Sequence, residues 1–288
     1  MTTTTATGTM PSGSAATLST RAVGAAGRAA FVGLLARDLT VLRKNLKEFL
    51  PRTLLQPFLL MFVFTYVFPK IGQGVGGGAG AEAAAVFATS LVAGVVGLSI
   101  LFQGVQAVAL PLVQEFGFTK EIEDRVMAPL PVPLVATEKV VAGALQGMFA
   151  AALVFPLAAV VPATEVNLAV HWPVLITLGP LACLMAAALG LTFGTFFEPR
   201  SVPVLFGVVI LPLTFLGCTY YSWLALEPIR WLQIAVLVNP LVYLSEGFRA
   251  ALTPVPHMSL LAVYPVVIGF VVLFSWMGIR GFTKRVIA

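Results

Sequence analysis

Two pairs of residues, Glu227 with Arg230 and Glu246 with Arg249, are the strongest candidates for chemistry in this chain, because they interrupt an otherwise apolar stretch at a spacing of three. On a helix that spacing lets a carboxylate and a guanidinium meet as an ion pair. Such pairs either hold the segment together or open and close as a gate. Catalytic groups are sparse by comparison. His171 and His257 stand apart at the edges of apolar stretches, and Cys183 and Cys218 show neither a disulfide framework nor metal-ligand spacing. No G-x-x-x-x-G-K-[ST] phosphate loop occurs, and the glycine run at 72–80 has no Lys behind it. The chain reads as having no catalytic, cofactor or metal residues of its own. If nucleotide drives its work, the ATPase is another polypeptide.

The elements that must position those pairs are membrane elements. Hydrophobic residues make up 59% of the chain and charged residues 10%, with a mean hydropathy of +0.98, whereas soluble domains carry about 25% charged residues. Six stretches are apolar enough to cross a bilayer: 53–69, 83–110, 140–162, 172–197, 202–217 and 259–279. With six crossings both termini share a side. Lys70, Arg230 and Arg249 then fall on the far side, and every other Lys and Arg falls with the termini. The positive-inside rule places both termini in the cytoplasm, in the plasma membrane of the cell. Between the fifth and sixth spans, the charge-free piece 231–245 is about 15 residues, short of the roughly 20 that span. Helices that dip in from outside and return fit that length.

Residues 1–27, rich in Thr, Ser, Gly and Ala, read as a disordered tail, and 28–288 as one transmembrane domain. Phe31, Leu35, Leu39, Leu42, Leu46 and Phe49 recur at steps of three and four, with Arg37, Arg43, Lys44 and Lys47 mainly off that stripe. This is an amphipathic helix at the inner membrane surface, serving as a topogenic anchor or as a contact for a cytoplasmic partner. The spans as bounded contain no Asp, Glu, Lys, Arg or His, which disfavours proton- or sodium-coupled transport and intramembrane hydrolysis. Gln56, Gln103, Gln106 and Gln146 are their larger polar groups, for interhelical hydrogen bonds or for a cargo path. The cytoplasmic stretch 115–140 packs Glu115, Lys120, Glu121, Glu123, Asp124 and Arg125 around Phe116, Phe118, Ile122 and Val126. Pro129, Pro131 and Pro133 are expected to stop any helix there and lead, extended, into the third span.

Several of these residues carry a resemblance. Phe215, Gly217 and Tyr220 match an F-x-G-x-x-[YF] feature, and Asn239-Pro240-Leu241 with Glu246 and Arg249 match N-P-[LM]…[DE]-x-x-R. Glu115 through Pro129 resembles an E…[ILT]-[DE]-x-[LV]…P coupling segment, with Phe118-Thr119 in place of the common Gly-Thr, and Glu227-Pro228 stands where many members have Leu-Pro. Together they are similar to the membrane permease of ABC-2 type ABC transporters, of the daunorubicin-resistance, nodulation-factor and polysaccharide or lipid exporter kind. The resemblance implies an all-α integral membrane protein with six transmembrane helices, an N-terminal cytoplasmic amphipathic helix and re-entrant outer helices. It implies two partner ABC ATPase subunits carrying ATP and Mg, and a second membrane subunit, as a homodimer or with a related paralogue. The cargo would be an amphipathic drug, lipid or lipid-linked glycan moved outward through the lipid bilayer, with no nucleic acid involved. A non-transporting assembly subunit is the alternative, and an ion-coupled carrier a more remote one. On that pattern Glu115, Phe118, Lys120, Glu121, Ile122, Glu123, Arg125, Glu198 and Arg200 would couple to the ATPase. Gly217, Tyr220, Tyr221, Asn239, Pro240, Glu246 and Arg249 would form the outer gate. Gln103, Gln106 and Phe215 are candidates for the cargo path.

Overall fold

A computed structural model of the chain describes residues 15–71, 81–119, 130–161, 166–197 and 206–287, and all regular structure among them is helical. Helix α1 spans Ala15–Lys44, and α2 spans Leu46–Phe62 and continues through a π-helical turn, Val63–Val67, to Lys70. Helix α3 covers Ala81–Gln114 and runs on as a π-helical turn, Glu115–Thr119. Helices α4, Val132–Val160, and α5, Trp172–Phe196, follow. Next come a π-helical turn Phe206–Ile210, α6 at Leu211–Phe215, a 3-10 turn Trp223–Leu226, α7 at Arg230–Ala235 and α8 at Pro240–Leu252. Helix α9, Leu260–Ile287, ends the chain. Among the described residues, five helices are long and apolar enough to cross a membrane: Leu46–Lys70, Glu82–Gly117, Val132–Leu157, Trp172–Phe196 and Leu260–Val286. The expected 202–217 span is described only from 206 onward.

Local sequence explains where these helices start, and it corrects one expectation. Pro131 and Pro133 do not hold the chain extended up to residue 140. Pro131 sits at the N-cap of α4 and Pro133 in its first turn, where a missing N–H costs nothing and the fixed φ suits the helix. Glu138 and Lys139 therefore lie inside α4 rather than ahead of it. The charge-free spans are thus shorter than the helices that contain them, because α2 also carries Glu48 and Arg52. Helix α1 begins at Ala15, upstream of the expected boundary at 28. Its inward stripe includes Phe31, Leu35 and Leu42, but Leu39 is exposed and Asp38 takes the inward position. Several hydroxyls within the bundle return to the carbonyl one turn back, as those of Thr65, Thr89, Thr192 and Thr214 do, which satisfies these donors in apolar surroundings.

Helix α3 is the axis of the fold, packed on α5, α4, α8 and α2, while α5 also packs on α9. Contacts fix the directions. Gly104 lies against Ala186 and Gly194 against Leu112, so α3 and α5 run parallel. A Cβ at Gly190 would stand 2.7 Å from the Val105 carbonyl oxygen, so only glycine allows this approach. Helix α4 runs the other way, with Lys139 beside Glu115 and Gly147 beside Gly104. Helix α9 is parallel to α5: Tyr264 meets Thr177 at one end and Arg285 meets Gly194 at the other. The end bearing Phe116 and Phe197 is hereafter the connector end, because residues 120–129 and 198–205 attach there. The opposite end carries α8.

Candidate functional site

At the α8 end the chain builds a buried ion pair. Asn239 caps α8, its side-chain oxygen accepting from the Leu241 N–H at 2.9 Å while its amide donates to the Leu213 carbonyl at 2.7 Å. Pro240 follows as the first helical residue. Every residue of α8 is buried, including Glu246 and Arg249, which are both 0% exposed. Arg249 Nη1 donates to Glu246 Oε1 at 2.7 Å and Arg249 Nε to Ser90 Oγ of α3 at 2.8 Å. Its Nη2 donates to the carbonyls of Cys218, Thr219 and Tyr221 at 2.5, 3.3 and 3.0 Å. Glu246 also accepts from the backbone N–H groups of Trp223 at 2.7 Å and Met258 at 2.8 Å. Cys218 adopts a positive φ of 52°, a region few non-glycine residues enter, in the turn whose carbonyls meet the guanidinium. Burial, then the Glu246 carboxylate, push its thiol up to about 12, with Arg249 opposing.

The other expected gate residues pack around this pair. Gly217 touches the Leu241 side chain, with its own Cα in too close an approach to admit a Cβ. The Tyr220 ring lies 5.4 Å from Phe64 of the first span and 6.0 Å from Phe215, and the Tyr221 hydroxyl donates to the Phe215 carbonyl at 2.9 Å. Glu227 and Arg230 share the spacing of Glu246 and Arg249 but do not pair. Both are exposed, and Arg230 donates to Gln233 Oε1 at 3.2 Å instead. Glu227 ends the 3-10 turn and Pro228 separates it from α7, so no single helix carries both.

Toward the connector end, a cavity of about 700 Å³ lies among α1, α2, α3 and α4. Gln103, Gln106 and Gln146 line it together with Arg52 and Lys139; Phe215 does not, because it stands at the α8 end. Arg52 donates twice to Gln106 Oε1, at 3.2 and 2.8 Å, and Thr53 donates to Gln103 at 3.2 Å. At the cavity floor Lys139 Nζ stands 2.5 Å from Glu115 Oε1 and 3.8 Å from Asp38 Oδ2, with Lys139 only 4% exposed. One cation thus joins α1, α3 and α4 where the 120–129 connector begins and ends. A low-dielectric setting makes such a cluster strong only when all its partners stay in place.

Of the expected coupling residues, Glu115 alone has a described side chain. Lys120, Glu121, Ile122, Glu123, Arg125, Glu198 and Arg200 lie outside the described residues, and Phe118 is described only as backbone. Sequence reasoning missed Asp38, Lys139 and Arg285. Asp38 carried a signal, since it falls on the inward stripe of α1; Lys139 read as a mere span boundary, and Arg285 as one of the charges on the side of the termini. Among the described residues no group of His, Cys, Asp and Glu could hold a metal ion.

A family model described as ABC-2 type transporter matches residues 29–253. The inner membrane transport permease YadH of Escherichia coli K12 is 28% identical over 186 residues, which cover 64% of this chain and 70% of that protein. YadH proteins of Escherichia coli O157:H7 and Shigella flexneri match with the same identity and coverage. No solved structure matches significantly.

Proposed function

The chain belongs to the ABC-2 type transporter family as a membrane permease subunit, and from that premise we propose that it exports an amphipathic drug, lipid or lipid-linked glycan at the expense of ATP hydrolysed elsewhere. It is a multi-pass inner-membrane permease, and ABC permeases pair with ATPase subunits. Two ATPases and a second membrane subunit, identical or related, complete the transporter. Residues 28–288 form its transmembrane domain, with 1–27 as a cytoplasmic tail. Six spans leave both termini in the cytoplasm, and the segment from 215 to 249 is a lid on the outer face.

The observation that carries this reading is the contrast between the two ends of the bundle. The connector end holds a cavity lined by amides and by charged groups that include Asp38, Glu48, Arg52 and Lys139; the α8 end is closed by a buried, hydrogen-bonded ion pair. Amide side chains both donate and accept, so they suit the polar head of an amphiphile entering from the inner leaflet. Residues 115–125 and 198–201 receive the push from the ATPases. Arg249 and Glu246 hold the lid's shape, Gly217 and Tyr221 pack within it, and Tyr220 meets Phe64 of the first span at the seam along which it would open.

The test is a cargo screen on the complex reconstituted with its ATPase. Candidate amphiphiles are scored for stimulated ATP hydrolysis and for ATP-dependent movement across the vesicle. Stimulation lost on reversing charge at Glu121 and Arg125, with insertion intact, supports the docking role; unaffected transport removes it. Co-purification with an ATPase, but no cargo movement under any condition, would favour the assembly-subunit reading.

A further inference from the structure

Near the end of α9, Arg285 reaches two other helices at once. Its Nη1 donates to the carbonyls of Gly194, Thr195 and Phe197 at 3.2, 3.4 and 2.9 Å. These belong to the last turn of α5, whose carbonyls have no intrahelical partner and carry partial negative charge. The same guanidinium lies over the Phe116 ring, 4.7 Å from its centroid, just beyond the end of α3. Phe282, one turn earlier on α9, meets Phe116 edge-on at 5.7 Å and 65°. A planar guanidinium can stack by its face and donate by its edge in one position, which an ammonium cannot. Helix α9 is also seated closely on α5 here, since a Cβ at Gly281 would stand 2.7 Å from the Thr195 hydroxyl. On its other side the α3 end is held by Lys139 through Glu115.

We propose that Arg285 is a positioning residue for energy coupling: it locks the cytoplasmic ends of α3 and α5 into one block, so the connectors at 120–129 and 198–205 move together. The inference rests on the reading that these connectors face the ATPase. Without the lock, a push on either connector bends one helix end and is lost there. With it, the push turns α3, α5 and α9 as a unit, and α3 bears the lid through Ser90.

The experiment uses the full chain with its ATPase subunit in proteoliposomes. Arg285→Ala should leave insertion and ATPase co-purification intact and lower permease-stimulated ATP hydrolysis about tenfold, the loss of one coupling contact of ~1.4 kcal/mol. Arg285→Lys should recover about half of that on a logarithmic scale, because it restores the carbonyl bonds but not the stack. Phe116→Leu should resemble Arg285→Lys, and the double variant Arg285→Ala/Phe116→Leu should be no worse than Arg285→Ala, since both act through one contact. Unchanged stimulation in Arg285→Ala, or full recovery by Lys alone with no effect of Phe116→Leu, overturns the proposal. A readout free of the ATPase separates it from the functional reading. Spin labels at Gly117 and Phe196, in the permease alone in nanodiscs, should give a narrow distance distribution that broadens in Arg285→Ala, or in Arg285→Lys where Ala does not fold. An unchanged distribution overturns the lock, whereas a wild-type permease that engages no ATPase overturns the function and leaves the lock to this measurement.

Discussion

Arg249 has five hydrogen-bonding neighbours and no solvent, so its energetics are those of a charge that must keep every partner. Replacing it with Met leaves Glu246 ionised and buried with only two backbone donors. That should cost about 3–5 kcal/mol, seen as a lower thermal transition of the purified permease. The double variant Glu246→Gln/Arg249→Met should lose less, because no buried charge remains. A gate would behave differently: Arg249→Met would keep its heat stability and leak cargo. Cys218 offers a second check, since it is 0% exposed and its thiol is held protonated. Neither it nor Cys183, 1% exposed, should react with a maleimide in the folded protein; rapid labelling would mean that the α8 end opens widely at rest. The i,i+3 spacing made the Glu246–Arg249 pair legible from sequence, but not its burial. The same spacing misled at Glu227 and Arg230, because it brings residues together only when one helix carries both.

Helix boundaries show why charge is a poor ruler. Lys139 looked like the edge of the third span because an unpaired ammonium does not enter a bilayer. Paired with Glu115, and with Asp38 close by, it is buried well inside α4 instead. Two carboxylates from distant parts of the chain cannot be assigned to one lysine by pattern alone, whereas α3, α5 and α9 were plain from their unbroken apolar runs. Lys139→Met should remove the cation that joins Asp38 to Glu115 and loosen α1 from α4. Limited proteolysis of inside-out vesicles should then cut within α1 several times faster than in wild type, and an unchanged rate would show that apolar packing alone holds α1. On the other side of α3, a Cβ at Gly94 would collide with the Thr219 backbone. Gly94→Ala should therefore push the 217–223 turn away from α3 and lower the thermal transition, at a cost of about 1–3 kcal/mol for overpacking.

For the whole molecule, the number of crossings follows from helix direction as much as from hydropathy. Helices α5 and α9 are parallel, because Thr177 meets Tyr264 at one end and Phe197 meets Arg285 at the other. The chain leaving Phe197 at the connector end must therefore return to the α8 end before α9 begins. It has arrived by Thr219, which lies against Gly94 near the start of α3. This course is independent of the charge distribution and supports the proposed six crossings with the termini on one side, one more than the five long apolar helices described. Fluorescent-protein fusions should glow at both termini, and alkaline phosphatase fusions should be inactive at both. A cysteine replacing Trp231, 72% exposed, should react with an impermeant reagent from outside, and one replacing Lys284 only after permeabilisation. Active phosphatase at the C-terminus alone would leave five crossings. Arg285 would then lie on the side away from the ATPase, and neither the coupling lock nor the outer lid could stand.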